Sequence, residues 1–263
     1  MSRVVMIIQA RMGSSRLPGK VMKLISGKPM LWHVVNRAKG CAEVGTVVVA
    51  TTTNEEDRAV KDLAEKNGVG TFCGSEDDVL DRYYQAAKAY RADVIVRITA
   101  DCPLIDPQLI DRMVRHYIDN SDKYDYVGMA RPSRYPNGLD TEVFSFAALE
   151  RAWREARLKS EREHVTPYIW KNEHLFRIGA VGMDRDCSSY RWSVDEERDL
   201  ELVREIHKHL YEEGRFFTTE EVLELLSRMP ELADINRGIP RDAGYQKSLE
   251  DDSLADGEND LDG

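Results

Sequence analysis

IIQARMGSSRLPGK, Ile7–Lys20, is where an apolar run gives way to a loop, and that transition decides how the chain is read. Val4–Ile8 is short, apolar and β-branched, as expected of a strand buried on both faces of a parallel sheet. The loop beyond it holds two glycines, two serines, Pro18 and three cations, Arg11, Arg16 and Lys20. Backbone N–H groups left free after a strand make such a loop a natural anion site, and clustered cations suit a polyphosphate. Neither standard phosphate loop fits. Five residues separate the glycines where a Walker loop has four, Val21 stands where that loop needs a magnesium-binding hydroxyl, and GxGxxG is absent. A merely solvated basic turn is the competing reading.

Working outward, β-branched apolar runs alternate with segments of helical period. Strands are expected at Val4–Ile8, Thr46–Ala50, Val94–Thr99, Tyr124–Met129, Glu142–Phe146 and Phe176–Val181, with a short one at Arg191–Val194. Helices are expected at Pro29–Ala38, Glu55–Asn67, Val79–Tyr90, Pro107–Asp119, Ala147–Leu158, Glu163–Asn172, Glu196–Glu213 and Thr219–Arg228. That rhythm predicts a three-layer α/β fold with a mostly parallel sheet covered on both faces. Ligands of such sheets sit beyond the carboxyl ends of the strands.

Composition narrows the classes of function. Of 263 residues, 42% are hydrophobic and 32% charged, enough for a substantial core. The formal net charge is −10, and residues 246–263 hold seven acids against one lysine, so that segment is expected to be a disordered acidic tail to a single domain at 1–245. A long basic surface for nucleic acid is not favoured, although a local cationic pocket is compatible with the total. No run approaches the roughly 20 apolar residues of a membrane span, and no secretory pattern opens the chain, so a cytoplasmic location is expected. Cys41, Cys73, Cys102 and Cys187 are too widely spaced for a CxxC site and read as reduced thiols. His207 and His209 read as solvated helix surface, and Trp32, Trp153, Trp170 and Trp192 as core or interface packing.

Two acidic positions stand out. In RITADCPLID the strand ends and Asp101 follows, while Asp106 before Pro107 reads as a helix N-cap. A carboxylate on the same sheet edge as phosphate-binding cations makes sense as a metal ligand. In YRWSVDEERDLELV, Asp195 is the candidate second carboxylate, with a helix cap as its alternative.

Together QARMGSSRLPGK, TADCPLID, NGLDTEVFS, REHVTPYI and SVDEERDLELV, in that order over residues 3 to 213, resemble the cytidylyltransferases that activate acidic sugars. The likeness is to the spore-coat polysaccharide biosynthesis protein F group in particular, relatives of the CMP-Kdo, CMP-sialate and CMP-pseudaminate synthetases. The resemblance implies a nucleotide-diphospho-sugar transferase fold, GT-A-like, and a reaction joining CTP to an anomeric hydroxyl with release of pyrophosphate and use of Mg2+. It places Ala10, Arg11 and Gly13 near the base and ribose, and Ser14, Arg16 and Lys20 on the phosphates. Asp101 and Asp195 become magnesium ligands, and Ser75 in CGSEDDVLDRY a contact to the base, with Asp78 and Arg82 weaker candidates.

The sugar site is expected from Asn137, Asp140 and Glu142, whose polar groups could accept sugar hydroxyls, and from Arg162, Glu163 and His164, with Arg162 gripping a carboxylate. CTP and an acidic sugar are the partners implied, in a homodimer. Alternatives are a related enzyme using another nucleotide or a sugar phosphate, and a non-catalytic nucleotide-binding partner protein.

Overall fold

The computed structural model describes residues 2–259, with side chains described as far as Asp252. The apolar run of the opening stretch forms β1 (Val4–Gln9), followed by the loop, a 3-10 turn at Lys20–Met22 and a tight hairpin, β2 (Leu24–Ile25) and β3 (Lys28–Pro29). Then come α1 (Met30–Lys39), β4 (Thr46–Thr52), α2 (Arg58–Lys66), β5 (Gly70–Gly74), α3 (Val79–Ala89), β6 (Val94–Thr99) and α4 (Pro107–Asp119). The second half runs through β7 (Tyr126–Met129), β8 (Glu142–Ser145), α5 (Phe146–Glu155), α6 (Lys159–His164), α7 (Pro167–Lys171) and β9 (Ile178–Val181). It ends with α8 (Glu197–Leu210), α9 (Thr219–Arg228), α10 (Pro230–Asp234) and α11 (Ala243–Asn259).

Seven strands form one mixed sheet in the order β5-β4-β1-β6-β8-β7-β9. All its neighbouring pairs are parallel except those made by β8, which runs against both β6 and β7. Alternation along β1 explains the three layers. Val4, Met6 and Ile8 enter a core built with α1, α4, α8 and α9, whereas Val5 and Ile7 enter a second core with α3 and α5.

Several expectations need correction. β5 reads GTFCG and was not anticipated, because two glycines and an edge position leave no apolar run. The single helix expected at Glu163–Asn172 is two short ones, broken where Val165 takes φ 73° ahead of Pro167. Arg191–Val194 forms only an isolated bridge between Arg191 and Asn137. His207 is 2% exposed, not solvated, and packs edge-on to His33 with ring centroids 4.6 Å apart; His209 is exposed. The acidic segment from Lys247 to Asn259 belongs to helix α11, so the boundary placed at 245 falls inside a helix. Residues 260–263 of that segment lie outside the described residues.

Candidate functional site

The loop after β1 is held from below by a buried carboxylate. Asp57 accepts the Met12 N–H at 2.5 Å and the Thr52 hydroxyl, while the Gly19 N–H donates to the Met12 carbonyl at 3.0 Å. Gly19, at φ 65°, is the loop position that takes the left-handed backbone glycine tolerates best. Gly13 does not, and a Cβ there would face the Glu76 carboxylate at 3.4 Å. Arg11 pairs with that same Glu76, also at 3.4 Å.

Asp101 follows β6, and Asp195 is carried to it by main-chain bonds. The Asn137 carbonyl accepts the N–H groups of Trp192 at 2.6 Å and Ser193 at 3.1 Å, and the Asp101 carbonyl accepts the Val194 N–H at 2.8 Å. Asp199, 1% exposed, then fixes the turn into α8 by accepting the N–H groups of Asp195 and Glu196 at 2.9 and 3.0 Å. Its other oxygen accepts from Arg191 at 3.0 Å and Asn236 at 2.8 Å. Asp106 is the expected cap, and it serves two helices, accepting the Gln108 N–H of α4 and the Thr219 N–H that opens α9.

These elements converge on Lys20. Its ammonium donates to Asp101 Oδ2 and Asp195 Oδ1, each at 2.8 Å, and to the Val194 carbonyl at 2.9 Å, bridging residues 81 and 175 positions away. Arg16 reaches Asp195 at 3.1 Å, and Arg191 closes the other side of that carboxylate at 2.5 Å. Burial works against the charge on Lys20, but the two carboxylates outweigh it and raise its pKa. Burial would likewise lift Asp101, yet Lys20 and the Thr99 hydroxyl hold it at about 2. The Lys20 ammonium thus stands as a cationic centre among hard oxygen donors. Among the described residues no three His, Cys, Asp or Glu side chains cluster to hold a metal. Two carboxylates fit magnesium nonetheless, since it takes few protein ligands and completes its shell with phosphate oxygens and water.

Two cavities meet at this point. One, of about 860 Å³, is bounded by Ala10, Arg11, Gly13, Ser14, Arg16 and Lys20 of the loop and by Glu76, Asp77, Val79 and Arg82. The other, of about 690 Å³, contains Asn137, Asp140, Glu142 and His164. Arg16, Thr99, Asp101, His164 and Asp195 line both.

Four expected site residues, Ser75, Asp78, Arg162 and Glu163, are not where the sequence reading puts them; Asp78 lines neither cavity and caps α3 by accepting the Asp81 N–H at 2.9 Å. Ser75 lines neither cavity, because its hydroxyl accepts the Asp78 N–H at 3.0 Å in the turn before α3. Arg162 also lines neither: its guanidinium is spent on Asp78 and on the Trp153 carbonyl at 2.8 Å. Glu163 faces the loop-side cavity, not the second one, and accepts the Ser248 hydroxyl at 2.9 Å. Glu142 lines the second cavity but is already saturated by Arg97 at 2.7 Å, Tyr126 at 2.6 Å and Thr166 at 2.7 Å. Burial would raise its pKa; Arg97 and these hydroxyls lower it. Asp140 is shifted the other way, raised by burial despite Arg241 at 3.2 Å.

Sequence reading missed the cations of the second cavity, Arg97, Arg131 and Arg241, and the aromatic Trp170. Arg97 was findable, as a lone charge in the buried strand VIVRIT. Arg131 and Arg241 lie in polar loops that carry no such signal. The Arg131 guanidinium lies 4.0 Å from the Trp170 ring centroid and only 3.9 Å from the occupied Glu142.

Comparisons with known proteins show the family and the fold. The chain is 32% identical over 240 residues to the spore coat polysaccharide biosynthesis protein SpsF of Bacillus subtilis, an alignment covering 89% of this chain and 98% of that protein. It is 34% identical, at TM-score 0.86, to a cytidylyltransferase structure from Leptospira borgpetersenii, covering 92% of this chain and all of that one. The fold is also that of a CMP:2-keto-3-deoxy-manno-octonic acid synthetase complexed with CTP, at TM-score 0.60 and 20% identity, covering 79% and 99% of the two chains. The cytidylyltransferase family model matches residues 5–228, and the chain belongs to that family of nucleotidyltransferases.

Proposed function

We propose that the protein transfers CMP from CTP to the anomeric hydroxyl of an acidic sugar, releasing pyrophosphate, for surface polysaccharide or glycan synthesis. The observation that carries this reading is the meeting of two cavities at Asp101 and Asp195, with the basic loop on one side and Arg97, Arg131 and Arg241 on the other. A nucleotide in the first cavity and a sugar in the second would react at their junction. The SpsF relative, named for spore coat polysaccharide biosynthesis, supports the pathway class.

In this mechanism Ala10, Arg11 and Gly13 border the nucleoside, and Ser14, Arg16 and Lys20 take the phosphates. The anomeric oxygen attacks the α-phosphorus in line and gives its proton to solvent water as the new P–O bond forms, while the bond to the β-phosphate breaks and pyrophosphate leaves. Arg16 and Lys20 neutralise the charge that builds on the departing pyrophosphate. Arg131, whose one ion-pair partner among the described residues, Glu142, is already occupied, grips the sugar's carboxylate in place of the committed Arg162. Trp170 stacks under that guanidinium and limits its freedom. Magnesium held by Asp101 and Asp195 would supply charge neutralisation at the phosphates and polarise the attacking hydroxyl. A homodimer, carried by the resemblance alone, and a cytoplasmic location belong to the same proposal.

The test is pyrophosphate release from CTP and Mg2+ with a panel of sugar acids that includes 3-deoxy-manno-octulosonate and N-acetylneuraminate, with UTP, GTP and ATP as comparators. At least one acid should support turnover with CTP, and Asp101→Asn or Asp195→Asn should lower kcat at least about 100-fold. Silence across the panel, preference for another nucleotide, or full activity in both variants would overturn the reading.

A further inference from the structure

The family model ends at residue 228, and α11 lies beyond it. The helix nevertheless reaches the junction of the two cavities: Ala243 and Gly244 line both, Tyr245 lines the second, and Lys247, Ser248 and Asp251 line the loop-side cavity. Its seat on α6 is polar and specific. Lys159 donates to Asp251 at 2.6 Å, the Ser160 N–H donates to Asp252 at 3.0 Å, and Ser248 links His164 at 3.0 Å to Glu163 at 2.9 Å. Tyr245 presents its ring edge-on to His164, at 5.1 Å between centroids. Ser248 and Asp252 are 3% and 8% exposed, so this is a fitted interface and not a loosely draped helix.

Within it the Lys247 side chain makes no hydrogen bond among the described residues, although its charge, after that of Lys159, helps hold the Asp251 carboxyl below its usual range. It is exposed, it forms no ion pair among the described residues, and it opens on the cavity that already holds Arg11, Arg16 and Lys20. The neighbouring Asp251 is taken by Lys159.

We infer that α11 is a wall of the nucleotide site and that Lys247 is a further phosphate-binding cation, supplied from outside the segment that the family model matches. The inference rests on the polyphosphate reading of the loop-side cavity. It also gives the acidic terminal stretch a role: its carboxylates, at Asp251 and Asp252, fasten the helix so that one lysine reaches the phosphates.

The experiment measures binding of CTP and of inorganic tripolyphosphate to the full chain by calorimetry. Lys247→Met is compared with Lys208→Met, an exposed cation on α8 that lines neither cavity. We expect Lys247→Met to weaken both ligands about tenfold with an unchanged unfolding temperature, and Lys208→Met to leave both affinities within about twofold. Weakening of both ligands in Lys247→Met alone supports the inference even if no sugar acid in the panel is turned over. Unchanged binding in Lys247→Met, in a protein that turns over CTP, overturns it while leaving the proposed reaction standing. Equal weakening in both variants overturns it too, since that is a general loss of positive charge. If the unaltered chain binds neither CTP nor tripolyphosphate, the inference and the proposed reaction fall together.

Discussion

Lys20 shares one positive charge between two carboxylates, and Arg16 and Arg191 complete the balance around Asp195. An anion that takes Lys20 and Arg16 leaves those carboxylates in need of another cation, which is the electrostatic reason that nucleotide and divalent ion belong to one proposal. A different economy holds at His207. Both its ring nitrogens lack partners among the described residues, and burial, together with His33 and Arg37, lowers its pKa to about 3. The unfolded chain titrates near 6.5, so it binds more protons than the folded state between those values. The stabilisation from keeping this ring neutral is therefore complete above pH 6.5 and is lost as pH falls toward 3, by up to about 1.4 kcal/mol per pH unit. His207→Phe keeps an aromatic ring against Phe217 and Tyr211 but cannot titrate. Urea midpoints measured from about pH 7 down to pH 4.5 should fall less steeply for this variant than for the parent, and parallel slopes would refute the assignment.

At the scale of elements, the segment carrying Asp195 depends on one glycine. Gly138 sits at φ 107°, and a Cβ there would lie 2.5 Å from the Ser193 nitrogen and 2.7 Å from the Trp192 carbonyl carbon. Both atoms are backbone, in the strand-like stretch that positions Asp195 beside Asp101, so neither can swing aside. Gly138→Ala is expected to cost about 2 kcal/mol or more through strain and clash, and to lower kcat because Asp195 moves with the displaced backbone. Thermal unfolding and turnover should fall together; a variant with parental stability would show that this contact is not required. Such a glycine is hard to weigh from sequence, since nothing in NGLD names Ser193 as its neighbour. The elements that were legible, β1, β4 and β6 with their helices, are those whose apolar period is set by burial in the sheet. β5 escaped because an edge strand of GTFCG needs no such run, and the docking of α11 escaped because it uses carboxylates and a serine, which look the same when solvated.

At the scale of the whole molecule, Lys20, Asp101 and Asp195 were legible because each stands where a strand ends or a helix begins, and such edges collect functional groups in α/β sheets. The acceptor side was less so. Reversal of β8 brings Glu142 opposite Arg97, where the two satisfy each other, and in the proposed reaction this leaves the sugar's carboxylate to Arg131 in a loop. The result is two cavities with separate cations on either side of a shared pair of carboxylates, in a chain whose net charge is −10. Attraction for anions is therefore local to each cavity and is not a property of the overall surface. Substitutions should divide accordingly. Arg131→Lys keeps the charge but loses the planar fork and the stacking on Trp170, so it should raise KM for the sugar acid about tenfold while KM for CTP stays within about twofold. Arg11→Lys, on the far side of Asp101, should do the reverse. Steady-state kinetics with each substrate varied in turn decide the matter: if either change moved both KM values equally, the two cavities would have to be treated as one site, and the assignment of Arg131 to the carboxylate would fall.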